Sequence, residues 1–162
     1  MSEITLIPFA RSDRDWVVSQ HRDHYAREEG FDDSFGVLVA QIVDAFLNQH
    51  NADDERGWIA WRDGVRLGSV FVVRLDATTA KLRLFLLVPE ARGTGLGHRM
   101  LQQAMGFART CGYEGMQLWT HESHRAAGAL YARAGWHLQS ETPVVSFGKP
   151  NVEQIWRMRF EN

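Results

Sequence analysis

Apolar residues recur at helical spacing through Phe35, Leu38, Val39, Ile42, Val43, Phe46 and Leu47. That stripe predicts a helix facing a core on one side, with Asp33 as its cap and an end near His50. A helix before it, Asp13–Glu29, is framed by Ser12 as the N-cap, Asp15 in a weak capping box, and Gly30 as the stop. Downstream the period shortens. Gly57–Arg62 and Val65–Leu75 read as strands around Asp63-Gly64, the two-residue signature of a tight hairpin. Asp76–Ala80 connects to a further strand, Lys81–Val88, which Pro89 ends. A long helix follows over Gly95–Thr110, then a short buried strand, Gly115–Thr120, and a helix over Ser123–Ala134 closed by Gly135. Ile4–Pro8 is the expected first strand; Trp136–Ser140 and Val152–Phe160 are the expected last two.

Hairpins come first and crossover helices later. This order predicts an α/β (α+β) fold with a mixed, mostly antiparallel central sheet and helices on both faces. The 162 residues are expected to form one domain, 1–162, with a substantial core. Eighteen basic residues against 20 acidic ones leave a net charge of −2, which offers no general attraction to nucleic acid or an anionic membrane. The tight apolar run Leu84–Val88 is far too short to span a bilayer, and Met1-Ser2-Glu3-Ile4 does not open a signal peptide. A cytoplasmic location is expected. Cys111 has no intramolecular partner and reads as a small buried filler. The six tryptophans read as core and pocket lining, since no basic stripe accompanies them. His121 and His124 lack a cysteine or carboxylate at ligand spacing, so no metal is expected.

Chemistry concentrates in Val88-Pro89-Glu90-Ala91-Arg92-Gly93-Thr94-Gly95-Leu96-Gly97-His98. A strand ends, three alternating glycines follow, and a helix begins. Glycines let backbone N–H groups point into one concavity, and the helix start adds unpaired N–H groups and a positive partial charge. The combination is a site for a phosphate or pyrophosphate, to which Arg92 can add a forked, permanently charged contact. A Walker loop requires Lys-Ser/Thr after its last glycine, where this chain has His98-Arg99. A dinucleotide fingerprint requires wider glycine spacing after an early strand of a βαβ unit.

Arg92-Gly93-Thr94-Gly95-Leu96-Gly97, with Val88-Pro89 just ahead, resembles the Arg/Gln-x-x-Gly-x-Gly/Ala signature of the GNAT superfamily of acetyl-CoA-dependent N-acetyltransferases. A second stretch, His124-Arg125-Ala126-Ala127-Gly128-Ala129-Leu130-Tyr131-Ala132-Arg133-Ala134-Gly135-Trp136, is similar to that family's Asn-x-x-Ala-x-x-Leu-Tyr-x-x-x-Gly-Phe, with His124 in place of the frequent asparagine. More narrowly, His21–Phe31, Ala80–Leu84 and Val145–Gly148 resemble the acetyltransferase half of bacterial proteins that fuse a winged-helix regulator to a GNAT domain. Without that regulator half, no DNA contact through one is expected.

The resemblance implies acetyl transfer from acetyl-CoA to a primary amine of a small molecule or peptide by direct attack, and a homodimer is compatible with it. A non-catalytic acetyl-CoA-binding module is the alternative. The family pattern implies cofactor contacts at Leu86, Leu87, Val88, Arg92, Gly93, Thr94, Gly95, Leu96, Gly97, His98, His124, Ala127 and Tyr131. The strand Leu84–Val88 would pair its backbone with the pantetheine arm, and an N–H near Leu87 or Val88 would polarise the thioester carbonyl. Acetyl transfer needs a neutral amine, a donor for the developing oxyanion and a proton for the departing thiolate. Tyr131 is the candidate acid, sharing a helix face with Ala127 and His124. The base stays open among Glu28, Glu29, His21, His24, His121 and a water chain. His21, Tyr25 and Glu28 recur at i, i+4, i+7, either as acceptor-recognition surface or as a solvated helix face. Phe31, Trp119 and His121 complete the expected acceptor side.

Overall fold

The computed structural model describes residues 3–161. Its elements are β1 (Thr5–Pro8), α1 (Arg14–Glu29), α2 (Asp33–Gln49), β2 (Arg56–Arg62), β3 (Val65–Arg74), β4 (Thr79–Leu87), α3 (Leu96–Thr110), β5 (Gly115–His121), α4 (Arg125–Arg133), β6 (His137–Ser146) and β7 (Lys149–Arg159). The seven strands form one sheet in the order β1-β2-β3-β4-β5-β7-β6. Every neighbouring pair is antiparallel except β4 and β5, which run parallel. The mixed α/β fold with helices on both faces is as the pattern predicts.

Strand alternation divides the core between those faces. Trp58, Ala60, Val70, Val72, Ala80, Leu82, Met116 and Leu118 pack with Leu96, Met100, Leu101 and Ala104 of α3 and with Tyr131 of α4. Ile59 and Phe71 turn the other way and pack under Val17 of α1 and Phe35, Val39, Val43 and Phe46 of α2.

Local chemistry explains the ends of the elements and moves some predicted ones. Ser12 does not cap α1: the turn Arg11–Asp13 precedes the helix, and Asp13 turns back to accept from the Ala10 N–H at 2.9 Å and from Arg66 Nε at 2.9 Å. The cap of α2 is Asp32, one residue earlier than expected, because its carboxylate accepts from the Ser34 N–H at 3.0 Å. Gly30 closes α1 in the left-handed region, at φ 72°, with its N–H on Ala26 O. The last two strands are longer than predicted and meet at Phe147-Gly148, whose φ values of 54° and 82° make a tight turn. That tip folds back on α1: Phe147 O accepts from the Asp32 N–H at 3.0 Å, and Lys149 Nζ donates to Glu29 O at 2.7 Å.

Strand β4 carries one irregularity that makes the site. Its register against β3 shifts between Ser69 and Phe71, which face Leu86 and Arg83. The extra residue in β4 is a β-bulge with Leu84 at φ 53°, a conformation a leucine rarely takes. Ser69 Oγ donates to Leu84 O at 2.7 Å and holds it there. Pairing of β4 with β5 stops just before the bulge, at Leu82–Leu118, and the two strands splay apart.

Candidate active site

The splay opens a cleft of about 700 Å³ that runs from the glycine loop at one end to α1, α2 and the start of β4 at the other. Of the expected site residues, Arg92, Gly93, Gly95, Gly97, His98, Leu86, Leu87, His124, Ala127, Tyr131, His21, Tyr25, Glu28, Glu29, Trp119 and His121 all line it. Leu96 is buried under the loop. Thr94 faces the opposite side, toward Ile4 and Arg99, and its Oγ1 donates to Ala91 O at 2.5 Å. Phe31 lies behind the wall, edge-on to His121 at 5.2 Å between ring centres.

The loop is built for a backbone-lined anion site. Gly93 and Gly95 sit at φ 75° and 85°, and a Cβ on either would meet nothing within 4 Å, so their requirement is conformational and leaves the concavity open. The first bond that continues α3 is Arg99 N–H to Gly95 O. The N–H groups of Leu96, Gly97 and His98 precede it and have no helical carbonyl to bond, at the positive end of the helix dipole. Arg92 does not point its guanidinium into this concavity. It makes two 3.0 Å bonds to the Glu28 carboxylate across the cleft.

The edge of β4 offers one of the two expected carbonyl donors. The Val88 N–H is already donated to Leu67 O at 3.0 Å, which rules it out. In an antiparallel ladder successive N–H groups alternate sides. Leu87, opposite Gly68, therefore turns its N–H away from β3 toward the splay.

Tyr131 is buried against the rings of Phe85, Trp136 and Trp156. Burial raises its phenol well above the ordinary value, so it keeps its proton. His124 does not stand free for a cofactor. Its Nδ1 lies 3.2 Å from Thr120 Oγ1 and its Nε2 lies 2.9 Å from Glu29 Oε1, supplying the carboxylate that sequence spacing did not reveal. Ser123 Oγ donates to the same Glu29 oxygen at 2.8 Å. Burial lowers His124 more than Glu29 raises it, and the ring is held neutral. Glu28 is held below the usual carboxylate range by its bonds to Arg92.

The face of α1 carrying His21 and Tyr25 is not solvated. His21 is fully buried, with Nδ1 on Val17 O at 2.7 Å and Nε2 without a partner among the described residues, and burial pushes its pKa down to about 4. Tyr25 stacks on Phe35 at 4.5 Å and meets His124 edge-on at 4.9 Å. His24 is occupied by Gln20 and Arg27, at 2.8 and 2.9 Å. The buried Nε2 of His121 has no partner among the described residues, and burial lowers this ring too. No group of three His, Cys, Asp or Glu side chains among the described residues could hold a metal ion.

Among the lining residues missed from sequence are three polar ones, Thr120, Lys81 and Arg83. The signal for the last two was available. A central strand, flanked on both sides, is expected to be apolar, and β4 instead carries two cations at alternate positions.

Residues 14–136 match a family model described as the acetyltransferase (GNAT) family. No curated protein sequence matches the chain significantly. Several solved structures share its fold. A Salmonella typhimurium protein assigned as an acetyltransferase and solved with its cofactor acetyl-CoA superposes with a TM-score of 0.78 at 16% identity, over 99% of this chain and 96% of that one. A ribosomal-protein-alanine N-acetyltransferase from Brucella melitensis gives 0.79 at 15%, over 96% and 99%. A GNAT-family acetyltransferase from Staphylococcus aureus Mu50 gives 0.77 at 15%, over 98% and 100%.

Proposed function

The chain belongs to the acetyltransferase (GNAT) family, and we propose that it transfers the acetyl group of acetyl-CoA to a primary amine of a small molecule or peptide. The observation that carries this reading is the single cleft joining the glycine loop, the Leu87 edge of β4, Tyr131 and the Glu29–His124 pair. The residues fit the cofactor. Open amides at Leu96, Gly97 and His98 suit its diphosphate, and the splayed edge of β4 suits its amide-bearing arm.

Bound acetyl-CoA supplies a thioester whose C–S bond breaks as the C–N bond to the amine forms. The chain's residues divide the remaining work. Leu87 N–H is the donor for the acetyl oxygen. Tyr131, kept protonated by burial, gives its proton to the leaving sulfur. His124, neutral with its Nε2–H on Glu29, takes up on Nδ1 the proton that the amine releases, passed through the Thr120 hydroxyl 3.2 Å away. Glu28 is the weaker base because Arg92 stabilises its ionised form. Residues 1–162 act as one domain in this reading, in the cytoplasm where acetyl-CoA is available.

The test is thiol release from acetyl-CoA across a panel of amines, with calorimetry for coenzyme A binding. Amine-dependent thiol release supports the enzyme. Binding with no turnover on any amine would support the non-catalytic module instead.

A further inference from the structure

We infer that the acceptor carries a carboxylate beside its amine, held by Lys81 and Arg83 at the inner end of the cleft; this rests on the acetyltransferase reading above. Both side chains sit on β4, two residues apart, and line the cleft. Their register partners on β3, Val73 and Phe71, lie on the α1–α2 side of the sheet, and the two cations share that side. The bulge that opens the cleft begins at the next residue, Leu84. At about 3.3 Å per strand residue, Arg83 stands about 13 Å and Lys81 about 20 Å along β4 from Leu87; the acetyl group, an amino acid joined to it and the extended Arg83 side chain together span the shorter interval, and Lys81 closes part of the longer one by reaching over Trp119.

A half-buried cation on a central strand ordinarily has an acid beside it, because desolvating a charge costs free energy that a partner must offset. Neither side chain makes an ion pair or hydrogen bond to an acid among the described residues. Lys81 instead lies over the ring of Trp119 at 4.3 Å. Among the described residues on that side, Glu153 of β7 stands opposite His121, two strands from β4, and Glu28 and Glu29 of α1 line the cleft but are engaged by Arg92 and by His124 and Ser123. Burial and the nearby Arg83 push the Lys81 pKa down to about 8, and burial lowers Arg83 as well. Two cations left uncompensated beside the reaction centre are completed by an anion from outside the chain. A carboxylate suits Arg83, which can hold it with two parallel bonds. The rest of the acceptor then lies between Trp119, 58% exposed, and the apolar side chains of Leu38 and Ile42 on α2.

The experiment is calorimetry in the presence of coenzyme A with a panel of N-acetylated amino acids and their C-terminal amides, which carry the same side chains with and without the charge. At least one carboxylate should bind about tenfold or more tightly than its amide. Lys81→Gln/Arg83→Gln should bring that carboxylate to the affinity of the amide while coenzyme A binds as before. Carboxylate and amide of equal affinity throughout the panel overturn the inference, and so does a preference that survives the double substitution. Thiol release reports on the acetyltransferase reading separately. A protein that acetylates neutral amines as readily as amino acids keeps that reading and loses this one. A protein that prefers the carboxylates but releases no thiol keeps the anion subsite and loses the enzyme.

Discussion

Arg92 holds Glu28 by two parallel hydrogen bonds of 3.0 Å, which tie the glycine loop to the last turn of α1. Both side chains are substantially exposed, so the pair itself adds little stability. Its consequence is electrostatic. The guanidinium that would serve a bound diphosphate is shared with a carboxylate. Arg92→Ala should weaken coenzyme A binding about tenfold, the value of one charge-assisted contact. Glu28→Gln should tighten it about threefold by releasing Arg92 and removing a negative charge. Calorimetry with each variant checks both signs, and a weaker complex with Glu28→Gln would mean that the carboxylate positions Arg92 and does not compete for it.

Tyr131 makes no hydrogen bond among the described residues and lines the cleft with its ring packed against Phe85, Trp136 and Trp156. Tyr131→Phe preserves that packing and removes only the proton donor. Turnover should fall about a hundredfold, within the range of general acid catalysis, with the melting temperature and coenzyme A affinity nearly unchanged. Unchanged turnover would take Tyr131 out of the chemistry and leave it as a core aromatic.

The sequence made the fold legible where one local signal sufficed. The Asp63-Gly64 hairpin, the apolar stripe of α2 and Gly30 at the end of α1 each depend on neighbours within a turn. The glycine loop was legible for the same reason, as its three glycines and the helix start are contiguous. The pairings that define the chemistry are not local. Glu29 meets His124, and Glu28 meets Arg92, only because α1 lies across the open cleft from the loop and α4. The Leu84 bulge gives no signal in a strand of ordinary apolar residues, yet it opens the cleft and turns β4 away from β5. The solvated alternative for the His21–Tyr25 face failed because Phe35 of α2 and His124 pack against Tyr25, contacts between separate elements that the spacing within α1 does not encode.

His124 stands where relatives often carry asparagine, and the Glu29 carboxylate 2.9 Å away gives the histidine a role that an amide cannot fill. His124→Asn should retain coenzyme A affinity and lose about a hundredfold in kcat/KM. The pH profile provides the sharper test. The base must be unprotonated to work, and burial lowers His124 below its ordinary value of 6.5. The acid limb of kcat/KM should therefore fall below pH 6.5 in the native protein and disappear in His124→Asn. An acid limb that persists unchanged in the variant would assign it to another group, with His121 next in position.

His21 should set part of the acid sensitivity of the fold. It is fully buried and its pKa is pushed from 6.5 down to about 4, chiefly by desolvation. Between those values the unfolded chain binds a proton that the folded chain refuses, so stability falls as pH drops through 6.5 and the loss is complete below about 4. The contribution is nil well above pH 6.5 and amounts to about 2 kcal/mol between pH 7 and pH 5. Buried His24, lowered in the same direction, adds to the slope. Replacing His21 with leucine sacrifices the 2.7 Å bond to Val17 O and lowers stability at pH 7. It should nevertheless flatten the dependence, so that urea unfolding at pH 5 and pH 7 differs by about 2 kcal/mol less than in the native chain. A slope unchanged by His21→Leu would place the acid-sensitive proton elsewhere.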